Sequence, residues 1–134
     1  MRTWEKVRKY FETDLLKTDP PGQFLVTRNR AAKSDGISAG EKLIFSWQAQ
    51  IIYVGVAASD LRDYRGPQEW EYEYPSYFLV DLAMLWRAQG SLEKLETEVL
   101  QQGLHSKRIV RSQGWPRLVD SELLSRIWER LRKA

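Results

Sequence analysis

The chain has 134 residues, 43 % of them hydrophobic and 29 % charged, which is the size and composition of one globular domain with one core. Its longest apolar run, Ile51–Ala58, falls far short of the roughly 20 residues a membrane helix needs. The N-terminal stretch mixes charges along its length and so does not read as a signal peptide. The absence of cysteine excludes disulfides and thiolate metal sites. These features predict a cytoplasmic protein with no membrane partner.

Thr3 is placed to cap a helix that carries Trp4, Val7, Phe11 and Leu15 on one face. Asp19-Pro20-Pro21-Gly22 stops it, and Gln23–Thr27 reads as a short strand. Arg28–Gly40 is a loop in which Ile37 is the only large apolar residue, a length more often functional than average. Two short runs follow, Leu43–Trp47 and Ile51–Val56, broken only by Gln48-Ala49-Gln50. They are rich in β-branched and aromatic residues and predict a buried hairpin. Gly55 within the second run predicts a bulge or a close approach of another backbone.

Asp60–Tyr74 is polar but holds Tyr64, Trp70, Tyr72 and Tyr74. Tyr77–Leu82 is a third core strand that Met84–Arg87 extends toward Gly90. Ser91 caps a helix with Leu92, Leu95, Val99 and Leu100 inward, and Gly103 stands where its stop belongs. Arg108–Arg111 reads as a short final strand. Asp120 caps the last helix, with Leu123, Leu124, Ile127, Trp128 and Leu131 in one stripe. The order of elements predicts an α+β fold around a small curved sheet.

Net charge is +3, from 21 Lys and Arg against 18 Asp and Glu, and the charges are segregated. Arg28, Arg30 and Lys33 share one loop, and Lys107, Arg108, Arg111 and Arg117 crowd a second segment. The acids gather in Glu69–Glu73 and Glu93–Glu98. Such segregation fits either a side that faces a polyanion or solvated loops. Trp4, Trp86 and Trp128 fall on apolar faces and belong to the core. Trp47 alternates with Phe45 and so serves either the core or a pocket, while Trp70 and Tyr74 sit in a polar loop. The sequence has no nucleophile elbow, no phosphate-binding glycine loop and no HExxH, and His105 is its only histidine. A binding protein without cofactor or metal is therefore expected rather than an enzyme.

The order and spacing of these motifs resemble the PUA-like superfamily, and within it the EVE and YTH branches. The opening strand Phe24-Leu25-Val26-Thr27 is similar to the family's aromatic-Leu-Val-Lys. Gly40-Glu41-Lys42-Leu43-Ile44-Phe45 resembles the Gly-Asp-x-aromatic strand, and Val54-Gly55-Val56-Ala57 the Gly-Val-Ala strand. Tyr77-Phe78-Leu79-Val80-Asp81 matches the strand that runs into Val-Asp. Leu92–Leu100, Ile109–Gly114 and Asp120–Leu131 follow in the family's order. The resemblance spans residues 23 to 131 and divides the chain into an N-terminal helical extension (1–22) and a PUA-like domain (23–134), a small curved barrel or sheet flanked by helices.

The resemblance implies a nucleic-acid-binding module that takes one nucleobase, often a modified one, between aromatic walls. Stacking on those walls offsets the cost of extruding the base. By position, the pocket would draw on Arg28, Asn29, Ser46, Trp47, Ser59, Trp70 and Tyr74. Arg30, Lys33, Lys107, Arg108 and Arg111 would contact phosphates of RNA or DNA. The tryptophan that the YTH branch carries before the Gly-Asp motif has no counterpart here. Ile37 is the only bulky residue in that stretch, which leaves the wall to Trp70 or Trp47. The ASCH branch suggests the alternative of a ribonuclease that recruits Lys33, Tyr53, Tyr72, Glu73 and Arg111. A third reading is an interaction protein whose N-terminal helix docks a partner protein or a second copy of the chain.

Overall fold

The computed structural model describes residues 3–26, 37–65, 76–101, 117–118 and 122–133. In chain order they form α1 (Trp4–Lys9), continued by a π turn (Tyr10–Asp14) and a 3-10 turn (Leu15–Lys17), then β1 (Gln23–Val26), β2 (Lys42–Trp47), β3 (Gln50–Ala57), β4 (Arg62–Asp63), β5 (Ser76–Ser91), α2 (Leu92–Gln101), β6 (Arg117–Leu118) and α3 (Glu122–Lys133). The fold is α+β, with antiparallel strands and an N-terminal helix. The chain divides into two compact units, Met1–Gly40 with Ala57–Ala83, and Glu41–Val56 with Met84–Ala134.

In the first unit, the N-terminal helix starts as its sequence predicts, with the Thr3 hydroxyl accepting the Lys6 N–H at 3.3 Å. Val7, Phe11 and Leu15 are all buried and stand four residues apart. A regular α-helix would rotate each a further step around the axis. The wider π turn slows that rotation and keeps all three on the inner face. There Phe11 lies 6.2 Å from Phe24 of β1, ring centre to ring centre, and Phe24 lies 5.3 Å from Phe78 of β5. The apolar face of the helix is thus occupied by its own unit.

Gly22 closes this arrangement. Its N–H donates to the Leu15 carbonyl at 2.8 Å, and its carbonyl accepts the Val80 N–H at 2.8 Å. Its φ of 85° is one that side chains rarely adopt, and a Cβ there would overlap the Val80 carbonyl oxygen. Strand β1 pairs antiparallel with the start of β5, Phe24 opposite Phe78, and β4 pairs there too, Arg62 opposite Tyr77. Ile37 is buried, which makes it a core residue of this unit.

In the second unit the strand order is β5-β3-β2-β6. The expected hairpin is β2 with β3, and its turn is Gln48-Ala49 alone, because Gln50 already pairs with Trp47. The register shifts once, between Phe45 opposite Tyr53 and Ser46 opposite Ile51, so Ile52 is the extra residue of a bulge. The bulge therefore lies three residues before Gly55. At Gly55 a Cβ would stand 3.1 Å from Leu85 Cδ1, 3.3 Å from Phe45 Cε2 and 3.5 Å from the Met84 carbonyl oxygen, so side chains crowd it most and a neighbouring backbone lies in ordinary contact.

Leu43, Ile44, Phe45 and Ser46 are all buried, so β2 is covered on both faces. Ile44, Ile51 and Val54 share a core with Ala88, Leu92 and Leu95 and with the α3 stripe Leu124, Ile127, Trp128 and Leu131. The side chains of Val99 and Leu100 lie outside the description. Trp128 anchors α3, since its indole N–H donates to the Leu43 carbonyl at 3.0 Å. The strand expected at Arg108–Arg111 also falls outside the described residues. Arg117–Leu118, which sequence patterning did not single out, pairs with Ile44 and Leu43.

Candidate functional site

Among the described residues, three of the expected pocket positions can be placed: Ser46, Trp47 and Ser59. Arg28, Asn29, Trp70 and Tyr74 lie outside the description, as do the expected phosphate contacts Arg30, Lys33, Lys107, Arg108 and Arg111.

Trp47 ends β2 half-buried, beside the two-residue turn and directly opposite the exposed Gln50. Opposed residues of an antiparallel pair stand on one face with Cβ atoms about 5 Å apart, so an indole and an amide sit together at the hairpin tip. The turn itself is unusual. Gln48 (φ 49°) and Ala49 (φ 61°) both occupy the left-handed region. Two-residue hairpin turns of that shape favour Asn-Gly. What holds this one is the Ala49 carbonyl, which accepts the N–H of Leu92 at the start of α2 at 3.0 Å.

Ser46 and Trp47 are neighbours in sequence, but successive strand residues point to opposite faces. Ser46 shares its face with Ile44, which belongs to the helical core, and is wholly buried. Trp47 shares its face with Phe45. A ligand approaching the hairpin tip from solvent therefore meets the indole of Trp47 and not the hydroxyl of Ser46.

Ser59, in the first unit, is 2 % exposed and its hydroxyl is engaged twice by backbone. It donates to the Asp60 carbonyl at 2.9 Å and accepts the Leu79 N–H at 2.9 Å. The Leu79 carbonyl meanwhile accepts the Ala58 N–H at 2.7 Å. The hydroxyl thus stands in for the backbone acceptor that a continuing strand would supply.

Sequence reasoning did not foresee a cluster of cations on aromatic faces in the second unit. Lys42 Nζ lies 5.1 Å from the Trp128 ring centre and donates to Ser125 Oγ at 2.8 Å. Trp86 meets Trp128 edge-on at 5.9 Å. The Arg132 guanidinium lies 5.2 Å over Trp86 and reaches Glu129 at 2.9 Å. Both cations meet tryptophans from other elements, Lys42 of β2 on Trp128 of α3 and Arg132 of α3 on Trp86 of β5, so no local spacing signalled the cluster. The hydrogen bond from Arg132 holds the Glu129 carboxyl below its ordinary value. On the far side of α3, a two-point bond to Glu98 raises the Arg130 guanidinium.

No group of three His, Cys, Asp or Glu able to hold a metal occurs among the described residues. Of the set that an ASCH-like ribonuclease would recruit, only Tyr53 is described, and it is buried opposite Phe45. No helix among the described residues is long and apolar enough to cross a membrane. Comparison of the chain with protein-family models, with curated proteins and with solved structures gave no match.

Proposed function

We propose that the protein is a nucleic-acid-binding module of the PUA-like kind, which stacks a base of a single-stranded or locally opened segment on Trp47. The observation that carries this reading is the half-buried indole at the end of β2, on a hairpin whose strained turn is tied to the N-terminus of α2. A platform held in this way loses little freedom when a base lands on it, and stacking on an aromatic face contributes about 1–3 kcal/mol per base. The PUA-like assignment itself rests on the order and spacing of motifs along residues 23 to 131, and the cations gathered in two segments of the sequence support a polyanionic ligand.

Trp47 is the described pocket residue of this reading, and Tyr74 and Trp70 are the further aromatic walls that the resemblance implies. Ser59 supports the fold, and Ser46 lies on the core side of β2. Fluorescence-anisotropy titration with short DNA and RNA oligonucleotides, with and without methylated bases, at two salt concentrations tests it. Binding that weakens steeply with salt is expected, as phosphate contacts release counterions. No binding at low salt would remove the reading.

A further inference from the structure

The outer side of α3 presents three cations in one ridge. Arg126 and Arg130 are one turn apart, about 6 Å along the axis, and Lys133 follows on the same side. All three are exposed. Arg126 and Lys133 form no ion pair among the described residues. Arg130 keeps 63 % of its side chain exposed although Glu98 holds it in place. Glu98 pairs with Arg130, and Glu122 stands one turn before Arg126 on the same side, so the ridge carries three cations against two acids. Glu129 is paired with Arg132 on the neighbouring flank.

The helix dipole favours cations in the last turn, which accounts for Arg130 and Lys133. Its effect fades within that turn and does not reach Arg126, which stands one turn after Glu122. A lipid surface fits poorly, because an interfacial helix must offer an apolar face. Leu124, Ile127, Trp128 and Leu131 are already buried in the core of the second unit. What α3 offers outward is charge at regular spacing, suited to successive phosphates of one strand.

We infer that the ridge Arg126–Arg130–Lys133 is a second phosphate-contacting surface for single-stranded nucleic acid, an inference that rests on the function proposed above. It supplies affinity without sequence preference by holding phosphates of the strand.

The test uses the full chain and a fluorescein-labelled single-stranded oligonucleotide, titrated at several salt concentrations. The doubly substituted R126Q/K133Q protein is compared with wild type and with the charge-keeping R126K/K133R. Loss of two phosphate contacts makes the slope of log K against log salt shallower by about 1.4, at roughly 0.7 per contact on a single strand. The charge-keeping variant retains the wild-type slope. An unchanged slope in R126Q/K133Q, with Trp47→Ala still weakening binding, overturns the ridge and leaves the base platform standing. Absence of wild-type binding at low salt overturns both. Binding to phosphatidylserine vesicles that R126Q/K133Q abolishes, without binding to the oligonucleotide, also overturns the inference in favour of a lipid surface.

Discussion

The carbonyl oxygen of Ala49, the second residue of the hairpin turn, accepts the N–H of Leu92, the first residue of α2, at 3.0 Å. Each partner meets a need of the other. The first N–H groups of a helix have no partner within it. A turn with two side-chain-bearing residues in the left-handed region needs an outside contact to hold it there. The Ser91 hydroxyl accepts the Lys94 N–H at 3.4 Å, so the start of α2 is capped from its own chain as well. Trp47 stands beside that turn, on a hairpin tied at its tip to the start of α2.

Replacing Gln48 by Asn and Ala49 by Gly is expected to stabilise the protein. Left-handed backbone costs roughly 1–2 kcal/mol at a residue that bears a Cβ, and Asn-Gly suits this turn. Part of that gain is offset by the extra freedom glycine brings to the unfolded chain. A net rise of about 1 kcal/mol in unfolding free energy by urea titration is expected. A loss of stability would show that the turn's side chains make contacts worth more than the strain.

Ser59→Ala removes the acceptor of the Leu79 N–H and leaves a buried donor unpaired. The expected cost is roughly 1–3 kcal/mol. Nucleic-acid affinity per folded molecule should stay the same, because the hydroxyl serves backbone on both sides. Denaturation and binding titrations of one purified sample check the two halves of this expectation. Full stability with weakened binding would return Ser59 to the pocket.

Arg132→Gln should let the Glu129 carboxyl rise toward its ordinary value, since the hydrogen bond from Arg132 is the main cause that holds it down. In the wild-type protein a lowered folded value means that the pair contributes above the ordinary glutamate value. That contribution is lost as pH falls through the lowered one. The carboxyl is exposed, so the effect on overall stability is small. Side-chain carbonyl chemical shifts followed by NMR from neutral to acid pH measure the titration directly. An identical Glu129 midpoint in both proteins would contradict the assigned cause.

The amphipathic stripes were plainly legible. Val7, Phe11 and Leu15, and later Leu124, Ile127, Trp128 and Leu131, are buried as their spacing requires. Thr3 and Ser91 cap the helices their chemistry suits. Long-range choices were less legible. The break between the two apolar runs marked the turn, but nothing in the pair Gln48-Ala49 marked its left-handed backbone, which is held through Leu92, 43 positions further on. The bulge at Ile52 depends on the register that β2 and β3 adopt together. Strand β6 is two residues long and pairs with a strand distant in sequence, so local patterning has nothing to detect. At the site, Trp47 was ambiguous because strand alternation places it with Phe45 without saying where the burial ends. Ser59 looked like a pocket residue because a serine after a glycine-containing strand reads alike whether its hydroxyl serves a ligand or a neighbouring backbone N–H.

The measurement that bears most directly on the proposed stacking of a base on Trp47 is the affinity of Trp47→Ala and Trp47→Phe for the oligonucleotide that wild type binds best, each variant first shown to be folded by circular dichroism. Trp47→Ala should lose about 1–3 kcal/mol of binding free energy, with an unchanged salt slope, because it removes stacking and not a phosphate contact. Trp47→Phe, which keeps an aromatic face, should recover part of that loss. Equal affinity of wild type and Trp47→Ala would contradict the account and make Trp47 a packing residue of the hairpin.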